Sequence, residues 1–320
     1  LAGFFLFKVF SMRASSLIGK WMIFMVTGCA LALPFATHAE NAVASKSGEL
    51  CDRLIARMPT VNKAMCMKGG FVPTGRYSLQ GFPLLAKDVP ALNRNKKKPP
   101  LRVLLMGGIH GDELTSAAIV YRWVDSMNGP AAQRIDWRIM PVVNPDGLLA
   151  KKAMRMNANG VDLNRNFPTP DWDKEAPKYW QARTRADPRR FPGNSPLSEP
   201  ESRWVEDEMH AFKPDVIISV HAPFGVLDFD GPAQPPRKFG RLLLNRVGVY
   251  PGSLGNYSGV HKNVPVITIE LPNAQKMPPE AEVRRIWIDM LGWIKENVES
   301  QYGAPSVQAV SLPSTAAPKK

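Results

Sequence analysis

Three short apolar runs, Leu101–Met106, Val216–Val220 and Val264–Ile269, constrain this chain more than any other feature. Each is nearly continuous and rich in Val, Ile or Leu, the pattern of strands buried on both faces of a parallel sheet. Parallel strands need crossover segments that cover the sheet. The expected fold class is therefore α/β, a single three-layer α/β/α domain around a mixed, mostly parallel central sheet. Each run leads into an ionisable side chain: His110 in the turn after the first, His221 after the second, Glu270 after the third. Open α/β sheets place their ligand sites in the crevice beyond the C-terminal strand ends, so these three are expected to meet.

His110 belongs to the turn Gly107-Gly108-Ile109-His110-Gly111-Asp112-Glu113, which pairs it with Glu113 as H-x-x-E. Alone that spacing is a weak signal. With His221 it makes two imidazoles and a carboxylate, a donor set suited to catalytic zinc, which takes three protein ligands and leaves a position for water. One Zn2+ per chain is expected. Between the ligands, Asn144-Pro145-Asp146-Gly147 and the polar stretch from Arg155 to Pro168 carry two arginines and several amides. Such groups suit a carboxylate and an oxyanion, although either arginine taken alone reads as a solvated loop residue.

In order and spacing these blocks resemble the zinc carboxypeptidases of the carboxypeptidase A type (M14), within them the bacterial murein peptide amidases and peptidoglycan carboxypeptidases. The likeness runs from about Thr74 to Trp293 and includes Gly75 to Leu84, Gly160 to Phe167, Ser198-Glu199-Pro200-Glu201 and Thr268-Ile269-Glu270-Leu271. The resemblance implies that His110, Glu113 and His221 hold zinc and that Glu270 is the general base and proton carrier. It also implies that Arg155 steadies the oxyanion, and that Asn164 and Arg165 clamp the terminal carboxylate. Tyr250, before Pro251-Gly252-Ser253-Leu254-Gly255, matches the family's mobile tyrosine, with Tyr257 as a nearby substitute. Asp228 and Asp230 fall where the side-chain pocket is built and would bind the distal ammonium of meso-diaminopimelate; without the resemblance they are ordinary loop carboxylates.

Residues 1–39 are basic at Lys8, Arg13 and Lys20, apolar from Trp21 to Phe35, and end in Thr37-His38-Ala39. That is a signal-peptide pattern, too short in its apolar run to span a bilayer, so an exported, periplasmic protein is expected. The leading Leu1 and internal Met12 point to a start at Met12. Val26-Thr27-Gly28-Cys29 loosely matches a lipoprotein box, but the apolar run continues through Leu33, which disfavours lipidation. Cys51 and Cys66 then remain in an oxidising compartment and are expected to form a disulfide within an N-terminal extension, residues 40–70. The catalytic domain is expected over 71–300 and a disordered, Ala/Ser/Pro-rich tail over 301–320.

Lys8, Arg13 and Lys20 account for three of the net +13, leaving +10 on residues 40–320. A basic chain is drawn to polyanions, here anionic murein rather than nucleic acid, since no aromatic-basic stacking motif or zinc-finger spacing is present. Lys96-Lys97-Lys98 reads as a solvated loop. Ser198-Glu199-Pro200-Glu201 reads as a capping box opening a helix through Phe212, with Trp204, Val205 and Phe212 facing the core. Glu280 to Val298 carries Val283, Ile286, Trp287, Met290, Leu291 and Ile294 at helical spacing. Asp171 to Pro196 reads as a long surface loop framing the cleft.

The reading is an exported zinc metallo-carboxypeptidase or amidase acting on peptidoglycan stem peptides, at the γ-D-glutamyl to meso-diaminopimelate bond. It would have no membrane span once the signal is removed, and its oligomeric state is open. The alternatives are a general peptide carboxypeptidase, a deacylase of the aspartoacylase and succinylglutamate desuccinylase type, and a non-catalytic murein-binding module.

Overall fold

The computed structural model of the protein describes residues 48–299, apart from 59 and 93–98. The expectations for residues 1–39, for the box at Cys29, for Lys96–Lys98 and for the tail 301–320 fall outside the described residues. The described chain forms nine strands in one sheet: β1 (Val72–Tyr77), β2 (Pro83–Val89), β3 (Leu101–Met106), β4 (Ile135–Met140), β5 (Val216–His221), β6 (Val226–Asp230), β7 (Lys238–Phe239), β8 (Leu242–Leu244) and β9 (Val266–Glu270). Their spatial order is β1-β2-β4-β3-β5-β9-β6-β8-β7. The four central strands, β4, β3, β5 and β9, run parallel, and antiparallel pairs join β2 and β6 to them.

Alternate residues of the central strands feed two apolar cores. Val103, Leu105, Ile218, Val220, Ile267 and Ile269 face one, with α1 (Leu114–Ser126) and α5 (Glu280–Trp293) packed on it. Leu104, Met106, Ile217 and Val266 face the other, with Trp204, Val205 and Met209 of α4 (Pro200–Phe212). The result is helix, sheet, helix in three layers. Burying a Val, Leu or Ile side chain contributes about 1.5–3 kcal/mol each, which is why both faces of these strands are apolar. Val283, Ile286, Trp287 and Met290 of α5 are buried as their spacing predicts, and Trp287 lies 5.3 Å from the Trp137 ring.

Residues 48–57 form a helix ahead of the sheet, and Cys51 and Cys66 are joined by a disulfide with 5.9 Å between their Cα atoms. Leu50, Leu54, Met58 and Val61 belong to the α1 core, and the Phe71 ring meets Tyr121 at 5.0 Å. The described part of the extension, from residue 48 onward, is thus part of the folded body.

Three local expectations are corrected. The third run begins pairing at Val266 rather than Val264, because Pro265 has no N–H to donate; its carbonyl accepts from Ile217. The segment from Asp171 to Pro196 is not a loop: α3 (Trp172–Thr184) and a turn at Pro188–Arg190 occupy it. Only Trp172 and Ala176 of α3 are buried, so the helix carries almost no apolar periodicity, and Pro177 looks like a breaker in sequence. Helix α4 has the expected extent, but no side chain caps it, so the capping box is absent. Ser198 donates to Glu199, and Glu201 is turned inward.

Candidate active site

The turn from β3 into α1 sets His110 and Glu113. Gly111 lies so close to the backbone of Gly147, in the short helix α2 (Pro145–Leu149), that a Cβ there would overlap it. Ser116 closes the first turn of α1 by bonding the Glu113 carbonyl at 2.6 Å. The Glu113 carboxylate does not cap its own helix and is turned toward the strand ends.

There it meets both histidines. His110 Nδ1 is 2.8 Å from Glu113 Oε1 and 3.2 Å from His221 Nδ1, and His221 Nδ1 is 3.2 Å from Glu113 Oε2. A tetrahedral zinc with bonds of 2.0–2.1 Å sets its ligand atoms about 3.3 Å apart, so the spacing matches the ion that the donor set favours. The other ring nitrogens are also held: His110 Nε2 by Asp162 at 3.1 Å, His221 Nε2 by Ser219 at 3.1 Å. Such partners fix ring orientation and leave the Nδ1 lone pairs directed inward. Burial opposes ionisation of Glu113, but His110 and His221 hold its carboxyl well below the usual carboxylate range.

Arg155, Asp162, Asn164 and Arg165 come from one loop across the site. Arg155 Nε donates to Asp162 Oδ2 at 2.9 Å, and its guanidinium reaches within 3.6 Å of Glu113. Burial works against the Asp162 charge, yet Arg155 and His110 hold it well below the ordinary value. Asn164 accepts from the Leu254 backbone at 2.9 Å. Arg165 stacks over the Tyr250 ring at 4.4 Å, bonds the Asn164 carbonyl at 2.6 Å, and leaves its buried Nε without a hydrogen-bond partner among the described residues. Burial lowers the Arg165 guanidinium from its ordinary value against the pull of Asp162, so an anion arriving there would relieve a real cost.

The ten side chains assigned to the site from the sequence, with Tyr250 as the tyrosine, border one cavity of about 310 Å³. Glu270 lies beside the metal ligands, opposite His221 in the β5–β9 register. Burial raises its pKa, and His221 opposes the shift. Tyr250 lines the cavity with its hydroxyl bonded to the Val247 carbonyl at 2.6 Å. Tyr257 does not line it; it stacks on Phe167 and bonds Glu206. Asp228 and Asp230 form part of the wall, and burial together with Asp228 pushes Asp230 up to about 6.

Asp162 and Ser219 are site residues without a sequence-based prediction. Their signals are a lone acid two residues before Asn164-Arg165, and a hydroxyl two residues before His221, hence on the same strand face, in an otherwise apolar run. Arg189 and Arg190, likewise without a sequence-based prediction, border the cavity from the turn after α3.

The fold and this site define a metal-dependent hydrolase. Residues 74–227 match the family model described as zinc carboxypeptidase. Murein peptide amidase A of Escherichia coli (strain K12) is 32% identical over 224 residues, 67% of this chain and 87% of that protein. Murein peptide amidase A of Vibrio campbellii is 30% identical over 180 residues, 53% of this chain and 69% of that one. Among solved structures, the carboxypeptidase A of Helicoverpa armigera shares the fold, with a TM-score of 0.54 at 18% identity, covering 80% of this chain and 72% of that one. The chain belongs to the zinc carboxypeptidase family. It is a zinc metallopeptidase, with His110, Glu113 and His221 grouped to bind the ion.

Proposed function

We propose that the protein is an exported, periplasmic amidase or carboxypeptidase that hydrolyses peptidoglycan stem peptides at the γ-D-glutamyl to meso-diaminopimelate bond. One observation carries the substrate choice: a single cavity has the buried, incompletely bonded Arg165 in its wall and the acid pair Asp228 and Asp230 in it too. Diaminopimelate offers a carboxylate for the first and a distant ammonium for the second. The similarity to the murein peptide amidases of Escherichia coli and Vibrio campbellii supports the same class. Export is supported by the signal-like pattern of residues 1–39 and by the disulfide between Cys51 and Cys66.

Zinc held by His110, Glu113 and His221 would acidify water and polarise the scissile carbonyl. Glu270 takes the proton of the attacking water and passes it to the leaving nitrogen; its burial strengthens it as a base. Arg155, fixed by Asp162, donates to the oxygen on which charge develops. Asn164 and Arg165 grip the terminal carboxylate and make cleavage exopeptidic. The test is mass spectrometry of muropeptides incubated with residues 40–320, with a Glu270→Gln protein and a chelated sample as controls. Release of diaminopimelate from tripeptide stems, absent in both controls, is the expected result. Intact muropeptides with trimming of ordinary peptides would leave the general carboxypeptidase.

A further inference from the structure

The loop that carries Arg155 and Asp162 is held by a buried polar knot outside the cavity. Asn157, fully buried, donates from Nδ2 to Glu199 Oε2 at 2.7 Å and to Glu201 Oε2 at 3.1 Å. Its Oδ1 accepts from the backbone of Asn159 and of Val161, both at 3.1 Å. Asn159 adds a second bond to Glu199 at 2.9 Å. Glu201 accepts from the Leu79 backbone at 3.3 Å, tying the turn between β1 and β2 to the same point. Arg155 lies two residues before Asn157, and Asp162 follows Val161 directly.

Glu199 and Glu201 are both buried, and among the described residues neither has a cation within ion-pair distance. Burying such groups costs free energy that an apolar pair of similar volume would not incur. Apart from the bond that Glu199 accepts from Ser198, their side-chain hydrogen bonds go to the loop and to the turn after β1, so what the cost secures is one geometry of the loop.

We propose that Glu199 and Glu201, acting through Asn157, are positioning residues that set Arg155 and Asp162 against the metal ligands. The inference rests on the roles of Arg155 and the zinc ligands given above. Its reach follows the bonds already described: the knot fixes the loop, Asp162 orients His110, and Arg155 is aligned by Asp162.

The experiment measures zinc affinity by chelator competition, together with kcat and KM, for Asn157→Ala, Glu201→Gln and Arg155→Ala. Asn157→Ala, folded by circular dichroism, should lose about tenfold in zinc affinity and in kcat with KM little changed, as loss of outer-shell support does. Glu201→Gln keeps an acceptor oxygen and should stay within about threefold on both, a rescue that separates positioning from charge. If Asn157→Ala does not fold, Glu201→Leu takes its place, with the same losses expected at undiminished Tm. Zinc affinity and kcat that both stay at wild-type values in the folded variant would overturn the proposal. Full activity of Arg155→Ala would instead remove the catalytic reading of that arginine, and the zinc measurement would still decide the role of the knot.

Discussion

His221 and Glu270 stand at the ends of two paired central strands, whereas Arg155, Asn164 and Arg165 stand on a loop. On the strand wall, position comes from ladder hydrogen bonds that repeat along the backbone and do not depend on which side chains are present. On the loop wall it comes from scattered backbone bonds, such as Asp162 N to the Phe191 carbonyl at 2.8 Å, and from single buried side-chain bonds: Asp162 to Arg155, Asn157 to two glutamates, Asn164 to Leu254. Losing one buried partner of this kind costs about 1–3 kcal/mol, and the loop's backbone bonds are not a repeating ladder that would hold the remaining groups in register. The strand wall should therefore tolerate chemical change without moving, and the loop wall should not.

The sharpest way to break that contrast is to compare a deletion of function on each wall. Glu270→Gln should lower kcat by about 10²–10⁴-fold, with zinc content by mass spectrometry and Tm unchanged. Arg155→Ala should lower kcat by about 10²–10³-fold. It should also lower Tm, because Asp162 loses the cation that does most to hold its charge in the interior. Equal loss of Tm in the two variants would mean that the walls are built alike.

The same contrast explains what could be read from the chain. The apolar runs place His110, His221 and Glu270 at one sheet edge, because buried parallel strands leave a pattern that depends on composition alone. Arg155, Asn164, Arg165 and Tyr250 were assignable only through resemblance, since a polar loop has no periodicity to show which side chains turn inward. Glu199 and Glu201 read as a capping box for that reason: the spacing fits, but the carboxylates serve a loop some forty residues away. Helix α3 was hidden likewise, with two buried side chains in a polar stretch containing Pro177.

A pH-dependent stability sharpens the contrast on the loop side. Burial raises the Glu201 carboxyl to about 7, against the hydrogen bond from Asn157, while the unfolded chain titrates near 4.5. Below 4.5 both states hold the proton; as pH rises from there to 7 the unfolded chain ionises first, so stability falls. Above pH 8 the penalty is constant, on the order of 3 kcal/mol. Glu201→Gln does not titrate there. Its stability relative to wild type, from urea unfolding, should rise between pH 5 and pH 8, and a difference independent of pH would show that Glu201 ionises normally.

The smallest effect concerns specificity, at Asp230. Burial and the neighbouring Asp228 push its carboxyl up to about 6, against the pull of Arg246. An ammonium is held by the ionised form, so KM for diaminopimelate-terminated peptides should fall as pH rises from 5 to 7. Asp230→Asn should raise that KM about tenfold, the scale of a hydrogen bond to a charged group, and flatten its pH dependence. Alanine-terminated peptides, which carry no distal ammonium, should show neither change. An equal rise in KM for both substrates would place Asp230 in the support of the wall rather than in recognition. Its carboxylate lies against Gly255 and its backbone and Cβ against Gly259, so the residue touches both the wall and the cavity and the substrate pair is what separates the two roles.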